Sequence, residues 1–183
     1  MARLIHLNGS PGVGKSTLAR RYVDAHPGVL ACDIDVLRTL VGGWERDFVG
    51  VGALIRPAAL AMIGAYLENG HDVVLPQMIA RLTELERFRS AAANVGADYR
   101  HVMLVANQGV VQDRFYRRPV EEPHHAQIRA VVDADGGPAF LAALHDRLLN
   151  LAREVDDTLV VEGHDGDEEQ TYLALIAGLA SRA

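Results

Sequence analysis

The residues best suited to chemistry stand together near the start of the chain: Gly9-Ser10-Pro11-Gly12-Val13-Gly14-Lys15-Ser16. They fit the pattern G-x-x-x-x-G-K-[ST] with no mismatch. The glycines let the backbone wrap closely around an anion. Its N–H groups then point at phosphate oxygens, and the helix start behind them adds partial positive charge. Lys15 is placed to reach β- and γ-phosphates, and Ser16 to offer its hydroxyl to Mg²⁺. Thr17 follows as a helix residue with a secondary role. The context fits the motif: the apolar run Leu4-Ile5-His6-Leu7 precedes it, and a helical pattern with Leu18 and Tyr22 on one face follows. A chance glycine turn before a surface helix would not carry both flanks.

Asp33 and Asp35 form the second site. They end a short apolar run, Val29-Leu30-Ala31-Cys32. In an open α/β sheet, ligands bind beyond the carboxyl ends of the strands, so both carboxylates should face the phosphate loop. On extended backbone they would share one side. The expected division of labour gives Asp33 to the Mg²⁺ side and Asp35 to proton abstraction from an acceptor hydroxyl. Asp35 would equally serve as the N-cap of a helix over Val36–Leu40. Cys32 reads as a packed strand residue rather than a nucleophile.

Arginines mark the third site. Arg114, Arg117 and Arg118 lie on a short helix, Asn107 to about Arg118, and Arg129 is a further candidate. A basic segment can close over the oxygens that carry charge during phosphoryl transfer; Arg114 and Arg118 lead for that role. The competing reading is a solvated face paired with acids such as Asp113. Pro119, Glu121-Glu122-Pro123 and His124-His125 then read as a polar lid. The two histidines lack further ligands at metal spacing and fit a solvated loop.

Substrate contacts are expected between these sites. The glycine-rich stretch from Val41 to Gly52 carries Trp44 and Phe48, either of which suits a substrate face or the edge of the core. Arg56 and Arg81 could meet an anionic substrate, or be ion-paired or solvated. The third strand, ending at Leu75, is followed by Pro76-Gln77, with no acid to hold metal-bound water. That absence weakens the reading of a motor or AAA-type ATPase.

These sites need a sheet to hold them. Strands are expected at 4–7, 29–32, 71–75, 99–106 and 158–161. Helices are expected from Lys15 to about His26, from Ala53 to Glu68 with Pro57 starting or kinking it, and from a Thr83–Glu86 capping box to about Val95. Further helices are expected from Phe140 to about Glu154 and from Asp167, the last with Leu173, Ile176 and Ala180 inward. The loop Glu162-Gly163-His164-Asp165 should flank a nucleotide base. At 183 residues the chain suits one domain. Apolar residues at 49% and charged residues at 23% fit a globular protein with a core. A net charge of −6 argues against a nucleic-acid binder. A single cysteine leaves no internal disulfide and no cysteine metal cluster. No signal peptide is expected, and no apolar stretch is expected to reach membrane-spanning length, the run Leu173–Ala180 being too short. The cytoplasm is the expected location.

The layout resembles the small P-loop kinase group: the shikimate and gluconate kinases, the chloramphenicol phosphotransferase and the tunicamycin-resistance proteins. Ile5-His6-Leu7-Asn8-Gly9 through Gly14-Lys15-Ser16, with Ile34-Asp35-Val36-Leu37, is similar to the phosphotransferase pattern. Val74-Leu75-Pro76-Gln77-Met78 looks more like the tunicamycin-resistance type. The resemblance implies a three-layer α/β sandwich whose five-stranded parallel sheet has the order 2-3-1-4-5. It implies ATP and Mg²⁺, with Asp35 at the catalytic aspartate position and Arg114, Arg117 or Arg118 as lid arginines. The corresponding activity is transfer of the γ-phosphoryl group to a hydroxyl of a small molecule, an antibiotic, sugar or nucleoside-type compound. Residues 41–69 would form the substrate region and 114–130 the lid of one kinase domain, acting as monomer or homodimer. Two other activities compete: a nucleotide kinase gripping an acceptor phosphate with Arg56 and Arg81, and a nucleotide-binding switch whose output is a conformation.

Overall fold

The computed structural model describes residues 1–120, 122–164 and 166–181. Glu121 and Asp165, named above, lie outside the described residues. Chain order is β1 (Arg3–Asn8), α1 (Lys15–Ala25), β2 (Leu30–Ala31), α2 (Ile34–Arg38), α3 (Phe48–Glu68), β3 (Val73–Leu75), α4 (Leu82–Ala93), β4 (Asp98–Val105), α5 (Gln108–Arg117), α6 (Pro123–Ala134), α7 (Pro138–Glu154), β5 (Leu159–Glu162) and α8 (Glu168–Ala180). The strands make one parallel sheet in the order β2-β3-β1-β4-β5, as the resemblance implied.

Helices cover both faces, so the inner strands read as continuous apolar runs. Side chains alternate along β1. Ile5 and Leu7 join Leu18 and Tyr22 of α1 and Leu175 and Leu179 of α8 on one face. Leu4 turns to the other face and packs with Ile63 and Leu67 of α3 and Leu85 and Phe88 of α4. His6 and Asn8 share that second side by the same alternation and are fully buried. Two smaller apolar clusters carry α6 and α7.

Several boundaries differ from expectation for identifiable reasons. Asp33, not Asp35, caps α2: its carboxylate accepts from the Asp35 N–H at 3.0 Å. Asp33 and Asp35 therefore do not lie on one extended segment. Helix α3 opens at Phe48 rather than Ala53, because Asp47 caps it by accepting from the Gly50 N–H at 2.8 Å. Pro57 sits inside it. The Arg38 guanidinium lies where a side chain on Gly52 would be, 2.6 Å from a Cβ built there, so any larger residue would have to displace it. The Thr83–Glu86 capping box does not form; α4 is capped by Arg81, without a side-chain bond. The polar stretch read as a lid loop is the start of α6, with Pro123 in its first turn. In α8, Leu173 is 57% exposed and Ala180 is exposed, and Tyr172, Leu175 and Leu179 face inward instead.

The expectation that no apolar stretch reaches membrane length is also corrected. Helix α3, 21 residues long, qualifies by length and composition. One such helix is a weak sign, and the buried Ala59, Ile63 and Leu67 of α3 pack in the core beside β3.

Candidate functional site

A cavity of about 1100 Å³ opens over the ends of β1, β2 and β3. Among the expected site residues, Pro11, Gly12, Gly14, Lys15, Ser16, Thr17, Asp33, Asp35, Arg56, Arg81, Arg114 and Arg118 line it. Trp44 does not. It lies edge-on to Phe48, with ring centroids 6.4 Å apart, and Phe48 is the aromatic that reaches the cavity.

The phosphate loop owes its shape to close packing. At Gly12 φ is +88°, and a Cβ there would come within 2.7 Å of the Val111 carbonyl. Gly14 stands at the N-cap of α1 and contributes no side-chain cap. The first amides of that helix therefore have no intrahelical acceptor and are available to an anion. Gly9 and Ser10 act from behind the cavity wall. The Gly9 N–H donates to Asn8 Oδ1 at 2.8 Å, so it is not offered to a ligand. Val13 turns away, toward a second cavity of about 570 Å³.

Lys15 Nζ donates to the carbonyls of Gly9 and Ser10, at 2.9 and 3.0 Å. Burial lowers its pKa to about 8, against the opposing pull of Asp35 and Asp33, with Arg118 adding to the depression. Ser16 Oγ donates to Asp33 Oδ2 at 3.2 Å. This pair is all oxygen, which suits Mg²⁺. No cluster of three or more histidine, cysteine or acidic residues suited to a metal occurs among the described residues. An ion here would fill its remaining positions with phosphate oxygens and water, as Mg²⁺ habitually does.

Asp35 sits in the first turn of α2 and pairs with Arg38, 3.3 Å away and three residues on. Burial raises its pKa; Arg38, His124 and Lys15 oppose that rise and Asp33 reinforces it. Arg38 also donates to the Phe48 carbonyl at 3.1 Å and lies over the Phe48 ring. Burial beside Asp33 pushes the Cys32 thiol up to about 12, so it is no nucleophile.

The arginines divide. Arg118 lines the cavity, and its pKa is lowered by burial and by Arg129, against the pull of Asp35 and Asp33. Arg117 lines it too but is exposed and pairs with Asp113 at 3.6 Å. Arg129 donates to the carbonyls of Phe115, Tyr116 and Arg118 and closes the end of α5. Arg56 pairs with Glu84 of α4 at 3.1 Å.

Sequence reasoning missed several residues. His124 and His125 line the cavity, and His124 is only 5% exposed, so this is no solvated loop. Gln77, discounted as a poor substitute for an acid, lines the cavity too; its Oε1 is buried without a partner among the described residues. The backbone of its segment is clasped by β1. His6 Nε2 donates to the Gln77 carbonyl at 2.8 Å. Asn8 holds Ile79 twice, accepting from its N–H at 3.0 Å and donating to its carbonyl at 2.8 Å. The available signal was spacing: His6 and Asn8 alternate on the strand that enters the loop. The second cavity is bounded by Gly12, Thr17 and Arg114 on one side and by Gly163, His164 and Thr171 on the other. The loop after β5, expected to flank a base, thus borders this cavity through Gly163 and His164.

A phosphate loop at the end of a central strand, with an acid at the tip of the edge strand, defines a P-loop fold of the kinase type. Residues 4–134 match the family described as AAA domain, and the chain belongs to that family. Gln77 does stand where an acid was looked for, but that single position does not outweigh a match over most of the chain. The fold is similar to that of a tunicamycin resistance protein from Deinococcus radiodurans, at 19% identity over 100% of this chain and 96% of that one, with a TM-score of 0.61. It is also similar to a gluconokinase from Sinorhizobium meliloti 1021, at 20% identity over 100% of this chain and 93% of that one, with a TM-score of 0.64. A search of curated proteins finds no sequence match.

Proposed function

We propose that this protein is a phosphotransferase that moves the γ-phosphoryl group of ATP to a hydroxyl of a small molecule. The observation that carries the reading is the pairing of Ser16 with Asp33 beside a half-buried Asp35, on the cavity that Lys15 and Arg118 also line. The first-turn amides of α1 and Lys15 hold the β- and γ-phosphates. Ser16 and Asp33 would hold Mg²⁺, which would supply charge neutralisation when bound. Asp35 accepts the proton of the acceptor hydroxyl as its oxygen bonds to the γ-phosphorus and the bond to the β–γ bridging oxygen breaks. Arg118, with Arg114, stabilises the charge on the transferred group. Residues 41–69 supply acceptor contacts, and 114–130 act as the lid. The chain works as one domain.

Burial favours Asp35 as base, because a raised pKa makes a carboxylate a better proton acceptor. Nucleotide-kinase chemistry is less favoured, since Glu84 already occupies Arg56. The test is ADP release measured against a panel of hydroxyl compounds. Release should depend on the acceptor, and Asp35→Asn should lower it by about 100-fold or more while ATP binding persists. Equal ATP hydrolysis with and without every acceptor would refute the reading.

A further inference from the structure

The cavity has an end that phosphoryl transfer does not use. Three elements bring apolar side chains to it: Met78 after β3, Ile128 and Val131 on α6, and Phe140 on α7. Each is only partly buried, so apolar surface is left facing the cavity. Phe140 packs on both small apolar clusters, one around Leu144 and Leu148 and one around Phe115 and Leu141. The wall is thus built into the fold rather than left at a fraying edge. Apolar surface in a concave site favours a ligand that covers it.

Size points the same way. Pockets for drug-sized ligands run to roughly 300–1,000 Å³. With a nucleotide base in the second cavity, the larger one, about 1100 Å³, has room for an acceptor beside the phosphates. Charge adds the third observation. Arg147 lines the same end, with its guanidinium 5.8 Å from the Phe140 ring centroid. Among the described residues it forms no ion pair with a carboxylate.

Resting on the kinase reading, we infer that the acceptor is a hydroxyl compound of drug size with an apolar body and an anionic group, rather than a small polyol or sugar acid. With its hydroxyl end held by residues 41–69, its body lies against Met78, Val131, Phe140 and, on the lid, Ile128, and Arg147 meets the anion.

The probe is 8-anilinonaphthalene-1-sulfonate, an aromatic anion whose fluorescence rises in apolar surroundings. It is titrated into the whole protein, with ATP–Mg²⁺ binding measured in parallel and a cooperative melting transition required of every variant. One saturable site is expected. Val131→Gln should weaken it by about tenfold through the burial of an unpaired amide. Arg147→Ala should weaken it by about tenfold through loss of the charge-assisted contact. ATP binding should stay unchanged in both. Phe140→Ala replaces Val131→Gln if that variant does not fold. The inference falls if no saturable binding is seen, or if binding is unaltered in Arg147→Ala and in the folded wall variant. ATP binding without probe binding sinks only the acceptor class. Probe binding without ATP binding sinks the kinase reading and leaves the apolar anion site standing.

Discussion

Asp35 carries a cost in stability. Its folded pKa is raised by burial, so the folded state holds a proton more tightly than the unfolded chain does. The sign follows: stability falls as pH rises from the ordinary value of 3.8 through the raised folded value, and ionised Asp35 is a net cost at neutral pH. Asp35→Asn removes that cost, while Arg38 keeps the Phe48 carbonyl and ring. The variant should therefore melt higher than the parent at neutral pH, and a lower melting temperature would contradict this account. Phosphoryl transfer should decline on acidification through the raised pKa, an acid limb placed above that of a solvated aspartate. At this scale the phosphate loop was fully legible, because its chemistry is written in contiguous residues. Asp33 and Asp35 were legible as a pair but not as cap and half-buried acid, since a two-residue strand ends before either of them. Trp44 was misjudged because loop composition does not say which of two neighbouring aromatics turns inward.

Among the elements, the clasp between β1 and the segment after β3 sets the floor of the site. Asn8 bonds to Gly9 and twice to Ile79, joining the phosphate loop and the segment after β3 through one side chain. Each bond contributes about 1 kcal/mol, so Asn8→Ala should cost about 2–4 kcal/mol, read by denaturant unfolding. A loss under about 1 kcal/mol would mean the clasp is ornamental. Such a link is invisible in sequence, because its partners lie 71 residues apart. Helix α3 shows a different limit. Gly50 and Gly52 read as loop residues, yet Asp47 and Arg38 take up the space their side chains would need. The start of α6 was hidden likewise: glutamates and histidines read as solvated, although Pro123 was already the sign of a first helical turn.

For the whole molecule, acid is the expected weakness. His6 donates through Nε2 to Gln77 and accepts at Nδ1 from the Tyr99 hydroxyl at 2.6 Å. His101 accepts from Asn8 at 3.2 Å and faces the Thr158 hydroxyl at 2.9 Å. Both rings are satisfied while neutral, and a further proton has no acceptor. Burial lowers His6 to about 3, with the charge of His101 adding to the shift, and lowers His101 to about 4. Unfolded rings protonate near 6.5, so stability is lost as pH falls from there toward about 4. Each ring contributes up to about 1.4 kcal/mol per pH unit in that window. Melting temperature should fall steeply over the same range and less steeply in His101→Gln; a flat profile would show that the rings do not couple to folding.

Strand β1 is hydrogen-bonded to β3 on one side and to β4 on the other. The helices α3, α6 and α7, whose side chains line the larger cavity, all lie outside that strand's ladder. Replacements among them leave the central ladder and its glycine turn as they are. A lineage built on this plan can reshape the outer wall of the cavity without rebuilding its glycine turn.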